Sequence, residues 1–121
     1  MQIFVKISLT YWIPGRKLYK ASIPIPKDGI SISVVSLVER QYVICQTGYL
    51  ANEHHFYFGE NYEKVKMAEK DDDEYQLTLN GDKNMFKLPN LDSFVKTYFW
   101  RIDAQKGDYV YKGDVWTIHA I

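Results

Sequence analysis

The chain lacks several features that whole classes of protein require. Its 121 residues include a single cysteine, Cys45, which excludes an internal disulfide and a cysteine-based zinc site. Lysine plus arginine and aspartate plus glutamate each number 15, so no net field attracts nucleic acid or anionic lipid. No apolar run approaches the roughly 18 residues of a membrane-spanning helix. We therefore expect no nucleic-acid partner and no membrane span.

Helical periodicity is also missing, and strand periodicity takes its place. No segment of about ten residues or more repeats apolar side chains at helical spacing. Aromatic residues make up 16% of the chain and include ten tyrosines, a composition that suits strands. Apolar and polar residues alternate, or β-formers cluster, at 3–11, 17–23, 30–34, 41–46, 54–58, 75–79, 85–88, 97–104 and 109–118. Residues 62–68 fit either a strand or one helical turn, and the sequence predicts one all-β domain.

Two hairpins are predicted from turn residues. Residues 80–82 read Asn-Gly-Asp between two strand candidates, and residues 105–108 supply glycine and aspartate between the last two. In the second hairpin, side chains of one parity are apolar and are expected to face a core: Tyr98, Trp100, Ile102 and Ala104, with Trp116 and Ile118 on the final strand. Two such aromatic strands are typical of the closing hairpin of a β-sandwich.

Five motifs follow one another along the chain: ASIPIPKDG at 21–29, ANEHHFYFG at 51–59, VKMA at 65–68, TYFWRIDA at 97–104 and KGDVWT at 112–117. In this order they resemble the fibronectin type III-like (immunoglobulin-like) modules of bacterial secreted multidomain proteins. Those modules carry A-x-x-P-x-P-x-x-G, A-x-x-H-x-V-Y-F-G, T-Y-Y-W-R-V-D-A and G-D-V-W-S-F motifs. The resemblance covers residues 17–121 and implies a two-sheet antiparallel β-sandwich. Residues 1–16 lie outside it and are interpreted as an extra N-terminal strand or the tail of a preceding segment.

The resemblance also implies a function and a location. Similar modules accompany glycan-degrading enzymes, usually as non-catalytic parts. We therefore expect an accessory spacer or docking module of a secreted polysaccharide-processing protein, extracellular or periplasmic. Its partner would be a neighbouring domain of the same protein or another protein. Cys45 departs from the pattern, because such modules commonly place a core tryptophan there.

Four residues are assigned structural roles: Tyr98, Trp100, Trp116 and His54. Tyr98 opens the penultimate strand after Leu-Pro-Asn-Leu at 88–91. This arrangement predicts a tyrosine corner, in which the phenol hydrogen-bonds backbone upstream and pins the crossover between sheets. His54 coincides with the histidine of the resembled modules and is interpreted as a residue at the start of a strand.

No metal or cofactor is expected. His54 and His55, flanked by Glu53 and Glu60, suggest a metal site, but adjacent strand residues point to opposite faces of a sheet. The acidic residues of 69–74 would offer calcium carboxylate ligands. They lack the spacing of a calcium loop, and a charge run of this kind is usually a solvated turn.

An outer aromatic row is the candidate ligand-binding site. On the strand at 54–58, Phe56 and Phe58 are expected to face inward with the apolar parity of the closing hairpin. Four side chains on neighbouring strands then face outward: Tyr57, Phe99, Arg101 and Tyr111. Sugars stack on exposed rings, and protein partners use them as anchors. The row therefore indicates a carbohydrate-binding module as the alternative function, or packing against an adjoining domain or an N-terminal strand. A small stand-alone enzyme is the remaining alternative, although no nucleophile elbow, phosphate-binding glycine loop or cysteine–histidine pair supports it.

Overall fold

The computed structural model describes residues 10–92 and 94–121. The strands are β1 Ser22–Ile25, β2 Ile30–Ile32, β3 Tyr42–Gln46, β4 Glu53–Gly59, β5 Tyr75–Asn80, β6 Met85–Lys87, β7 Lys96–Lys106, β8 Tyr109–Tyr111 and β9 Trp116–Ala120. The helices are α1 Val34–Arg40 and α2 Tyr62–Met67. The described part of the chain is thus mostly β, as predicted. The strand expected at 3–11 lies almost entirely outside the described residues.

The strands form two sheets. One has the order β1-β3-β6, and the other has the order β2-β9-β7-β4-β5, with β8 also pairing with β7. β2 pairs with β9 in parallel, so the larger sheet is mixed and not antiparallel throughout. The two-sheet all-β architecture is as the sequence predicts.

The core lies between the two sheets. Phe56 of β4 and Phe86 of β6 meet across it with ring centroids 5.6 Å apart, and Trp100 contacts Trp116 at 4.7 Å. Its buried apolar members include every residue that the sequence assigned to the inner parity: Phe56, Phe58, Tyr98, Trp100, Ile102, Ala104, Trp116 and Ile118. The inward-facing prediction for these strands is confirmed. Cys45 is buried in the same core, and burial raises the pKa of its thiol far above the usual range.

Both helices are short and begin at a side-chain cap. The predicted strand at 30–34 ends at Ile32, because the Ser33 hydroxyl accepts a hydrogen bond from the Ser36 amide and starts α1. The Asn61 side chain likewise accepts from the Lys64 amide and starts α2. Of the two alternatives for residues 62–68, the helical one is therefore correct. The first strand is shifted too, since β1 begins at Ser22 and not near residue 17.

The predicted hairpin at 75–88 is wrong in its pairing. β5 pairs with β4 in the larger sheet, whereas β6 pairs with β3 in the smaller one. Gly81 has the positive φ of 61° that the Asn-Gly signal favours. The turn exists, but the chain uses it to cross from one sheet to the other.

The closing hairpin is confirmed at its turn, but its second strand, predicted at 109–118, is divided into β8 and β9. The predicted tyrosine corner is not formed. β7 and β8 form the hairpin. Lys106 and Tyr109 are the pair next to its turn, which has two residues. Tyr98 is buried and its ring stacks on Phe58 at 5.2 Å. Its hydroxyl has no hydrogen bond to any residue that the structure describes. Tyr98 is one of the residues that line a groove of about 160 Å³ beside Asn90. Tyr98 thus contributes packing and not a corner bond.

The described part of the N-terminal segment contains no strand. Tyr11 and Asn84 exchange two hydrogen bonds, with the Tyr11 amide donating at 2.7 Å and its carbonyl accepting at 2.9 Å. Asn84 also donates to the Cys45 carbonyl at 2.8 Å. These bonds hold residues near Tyr11 against the smaller sheet. Among the described residues, neither helix has the length and apolar character needed to cross a membrane.

Candidate functional site

The outer face of the larger sheet is covered, contrary to the predicted exposure. Tyr57 and Arg101 are only 4% and 2% exposed. Both point away from the main core as expected, but α2 packs over them and buries Val65 and Ala68 in a second apolar cluster. The expected exposed row is wrong for these two residues, because strand parity identifies a face without revealing what covers it.

Arg101 is the centre of this second cluster. Its guanidinium donates to both carboxylate oxygens of Asp103, at 2.9 and 3.0 Å. Its remaining N–H groups donate to the carbonyls of Val65, Lys66 and Ala68 at the end of α2. These carbonyls lie at the C-terminal end of α2, where helical N–H partners run out and a cation is favourable. Of the three, the Val65 carbonyl also accepts a long hydrogen bond from the Ala68 amide at 3.4 Å. Arg101 therefore fastens α2 to β7 and is fully occupied within the fold.

The aromatic members of the predicted row also pack internally. The Arg101 guanidinium lies 4.0 Å from the ring centroid of Tyr57. Burial raises the pKa of Tyr57, and the nearby charge of Asp103 raises it further while Arg101 opposes the rise. Phe99 is half-buried and meets the Tyr62 ring at 5.8 Å. This face therefore leaves little ring surface for a ligand.

Tyr111 lies on the other side of the sheet from the predicted one. It is directly opposite Ala104, an inward-facing residue, while Trp116 is opposite Trp100. From Tyr111 to Trp116 the chain takes one more residue than β7 takes from Trp100 to Ala104, so the parity changes between β8 and β9. The extra residue makes a bulge in the connection between β8 and β9. Gly113 lies within this bulge, and a Cβ on Gly113 would be 2.0 Å from the Ile102 carbonyl oxygen. Tyr111 is thereby placed beyond the end of the core.

At that end, Tyr111 joins three other rings to form the tyrosine cluster, which consists of Tyr49, Tyr19, Tyr111 and Tyr109. Ring centroids along the cluster are 5.8, 5.3 and 4.5 Å apart in that order. Tyr49 is 47% exposed and Tyr109 is 63% exposed. The cluster is an exposed aromatic surface, and it contains one of the four residues predicted to bind ligand, Tyr111.

A groove adjoins the tyrosine cluster and carries basic side chains. It has a volume of about 750 Å³ and is lined by Gly15, Arg16, Lys17, Leu18, Tyr19 and Tyr49. The Lys106 ammonium lies 5.3 Å from the Tyr19 ring centroid. The lining contains no carboxylate, so the groove favours a ligand with negative charge.

The two adjacent histidines serve separate networks. His54 is buried in the main core, where its Nε2 accepts from the Gly48 amide at 2.9 Å. Desolvation lowers the pKa of His54 to about 4, so the ring is neutral near pH 7. His55 faces the outer side and hydrogen-bonds Thr78 at 2.8 Å and Gln105 at 2.7 Å. The expectation that they point to opposite faces is confirmed.

The acidic run at 69–74 closes on itself. The Asp72 carboxylate accepts from the Glu69 amide at 2.7 Å, and the Asp72 amide donates to the Glu69 carbonyl at 3.0 Å. These bonds form a side-chain-capped turn. No group of three or more histidine, cysteine, aspartate or glutamate side chains is arranged for a metal ion in the part of the chain that the structure describes.

Comparison with known proteins identifies no relative. No family model, no curated protein and no solved structure matches the chain. The candidate site therefore has to be judged on its own geometry. The sequence did not reveal Tyr19 and Tyr49 as site residues, since they lie in irregular segments without periodicity. The one available sequence signal is Gly48, a turn-favouring residue before Tyr49, and it does not indicate the distant partner Tyr19.

Proposed function

We propose that the chain is a non-catalytic accessory module of a secreted polysaccharide-processing protein, with a fibronectin type III-like sandwich that serves as a spacer or docking domain. Two sheets enclosing one core support the sandwich part of this proposal, and the motif resemblance supports the family. The motif resemblance supports the extracellular or periplasmic location and a neighbouring domain as partner. The sandwich is then a scaffold, and its buried polar side chains maintain the fold.

One observation carries the non-catalytic part of the proposal, namely that the reactive side chains are used internally. His55 is 1% exposed and bonded at both ring nitrogens, while Arg101 and Asp103 bind each other and backbone. A general acid or base must come within hydrogen-bond reach of a substrate atom. Groups held in this way support folding more readily than proton transfer.

Product analysis with the purified protein tests the proposal. The chain is incubated with acidic and neutral polysaccharides, and new reducing ends and unsaturated sugars are measured. We expect no product above a heat-denatured control. Turnover that disappears in His55→Gln, a variant that retains hydrogen-bonding capacity, would overturn the non-catalytic proposal.

A second candidate function, a carbohydrate-binding module, is favoured by the tyrosine cluster. Partly exposed tyrosine rings suit stacking on the apolar face of a sugar, and tyrosine hydroxyls add polar contacts. This site differs from the predicted row, because Tyr57 and Arg101 are covered by α2 and only Tyr111 belongs to both. The module would remain non-catalytic and would hold its parent protein on a glycan.

A further inference from the structure

We propose that the groove lined by residues 15–19 and Tyr49, with the adjoining tyrosine cluster, binds an acidic oligosaccharide through its sugar faces and its carboxylates. This inference rests on the carbohydrate-binding candidate and adds the ligand class and the site. It involves no residue of the predicted row except Tyr111. Three features of the site carry it: ordered rings, a rigid backbone beneath them and unpaired positive charge.

The rings are held in place before any ligand arrives. Tyr19 stacks on Tyr111 with an angle of 17° between the ring planes and meets the edge of Tyr49 at 72°. Side chains that are already ordered lose less conformational freedom on binding. Three of the rings remain well exposed: Tyr109 is 63%, Tyr19 49% and Tyr49 47% exposed. A ligand with several flat repeating units can contact more than one of these rings, whereas a single compact molecule cannot.

The backbone beneath the rings is also fixed. The Tyr49 amide donates to the Leu18 carbonyl at 2.7 Å, which joins the two segments that line the groove. Gly48 allows this approach, because a Cβ there would lie 2.4 Å from the Tyr19 carbonyl oxygen and 2.6 Å from the Ala104 Cβ. The spacing between Tyr19 and Tyr49 is therefore set by main-chain contacts.

The charge of the groove selects an acidic ligand. Among the residues that the structure describes, Arg16, Lys17 and Lys106 form no ion pair, whereas nearby Lys20 is paired with Asp114 at 2.9 Å. Free guanidinium and ammonium groups form charge-assisted hydrogen bonds with carboxylates. Uronic acid units present a carboxylate on each ring, so one oligosaccharide would satisfy both the tyrosine rings and the cations.

Titration calorimetry with a linear oligogalacturonate tests the inference, with a neutral oligosaccharide of the same length as the comparison ligand. Tyr49→Ala removes an exposed ring, and Lys17→Glu reverses a groove charge without touching the core. The matched controls are Tyr62→Ala and Lys64→Glu, two exposed positions on α2. Thermal melting of every variant establishes that the fold is retained.

We expect saturable binding of the acidic ligand that weakens with added salt. Each groove variant should weaken it about tenfold or more, and neither control should change it. Equal binding of the neutral ligand would overturn the charge argument. Binding that depends on Tyr62 and not on Tyr49 would overturn the site. Saturable binding of an acidic peptide, with no binding of the oligogalacturonate, would also overturn it. Turnover of the ligand would instead contradict the proposed non-catalytic function, so the two failures are distinguishable.

Discussion

Arg101 and Asp103, two residues apart on β7, form a buried two-point ion pair. Residues at this spacing face the same side of a strand, and the guanidinium reaches both carboxylate oxygens. The Asp103 carboxylate also accepts from the Gly113 amide at 2.9 Å. This pair connects α2 on one side to the bulge between β8 and β9 on the other. It therefore links the covered face of the sheet to the end that carries the tyrosine cluster.

Replacing Arg101 should strongly destabilise the fold. Arg101→Leu leaves the buried Asp103 carboxylate without its counter-charge and removes the donors to the carbonyls of α2. Breaking a buried pair from one side typically costs roughly 3–5 kcal/mol of unfolding free energy. Urea denaturation followed by tryptophan fluorescence measures the loss.

The surface ion pairs of Lys96 with Glu60 and Asp92 provide the comparison for this prediction. Lys96→Leu should cause a much smaller loss, because solvent screens exposed ion pairs. The double variant Arg101→Leu with Asp103→Leu should recover part of the stability, since no unpaired charge remains. An Arg101→Leu loss no larger than that of Lys96→Leu would contradict the assigned role of the buried pair.

Strand periodicity predicted the main core because it depends on local alternation. Phe56, Trp100 and Trp116 face inward as the pattern indicates. The pairing of β5 and β6 was not predictable in the same way. Asn-Gly encodes a local change of direction, and the identity of each neighbour depends on packing far away in the chain. The turn was therefore anticipated while the sheets it connects were not.

The candidate site shows the same limit. Parity placed Tyr57 and Arg101 on the outer face, but a six-residue helix covers them, and residues 62–68 were ambiguous in the sequence. Tyr111 changed sides because of a single extra residue in the bulge near Gly113. Local patterns do not encode such coverings and bulges, since both arise from contacts between distant segments.

The absence of a corner bond makes Tyr98→Phe a mild substitution. The sequence-based corner would cost roughly 1–3 kcal/mol when the hydroxyl is removed. The structure gives that hydroxyl no partner among the described residues, so we expect a loss below about 0.5 kcal/mol. Tyr75→Phe is the matched control, because the Tyr75 hydroxyl meets the Thr78 hydroxyl at 2.6 Å. Denaturant midpoints should rank Tyr75→Phe as the costlier change. The reverse order would indicate that the Tyr98 hydroxyl does form the corner hydrogen bond.

Calcium should leave the stability of the protein unchanged. A ligand that binds the folded state raises its melting temperature by mass action. In the acidic run, however, Asp72 is engaged with the Glu69 backbone in a turn. We expect the same melting temperature with millimolar calcium and with a chelator. A rise of several degrees that is lost in Asp73→Asn would identify the acidic run as a binding site.

His54 should make the fold sensitive to mild acid. Burial holds the pKa of His54 at about 4 in the folded protein, while the unfolded chain has the usual value of about 6.5. Between these values the unfolded state binds more protons than the folded state, so acid favours unfolding. The stabilising effect of the neutral ring is fully present above about pH 6.5 and is lost as the pH falls towards about 4.

The shift corresponds to about 3 kcal/mol of unfolding free energy across that interval. His54→Gln separates it from the titration of carboxylates, because the glutamine amide can accept the Gly48 N–H but does not ionise near these pH values. Urea denaturation of both proteins at several pH values supplies the two curves. We expect the wild-type free energy of unfolding to fall more steeply than that of His54→Gln, with the difference growing as the pH approaches 4. Parallel curves would mean that the imidazole binds a proton equally well in the folded and the unfolded state. The buried ring would then have no part in acid sensitivity.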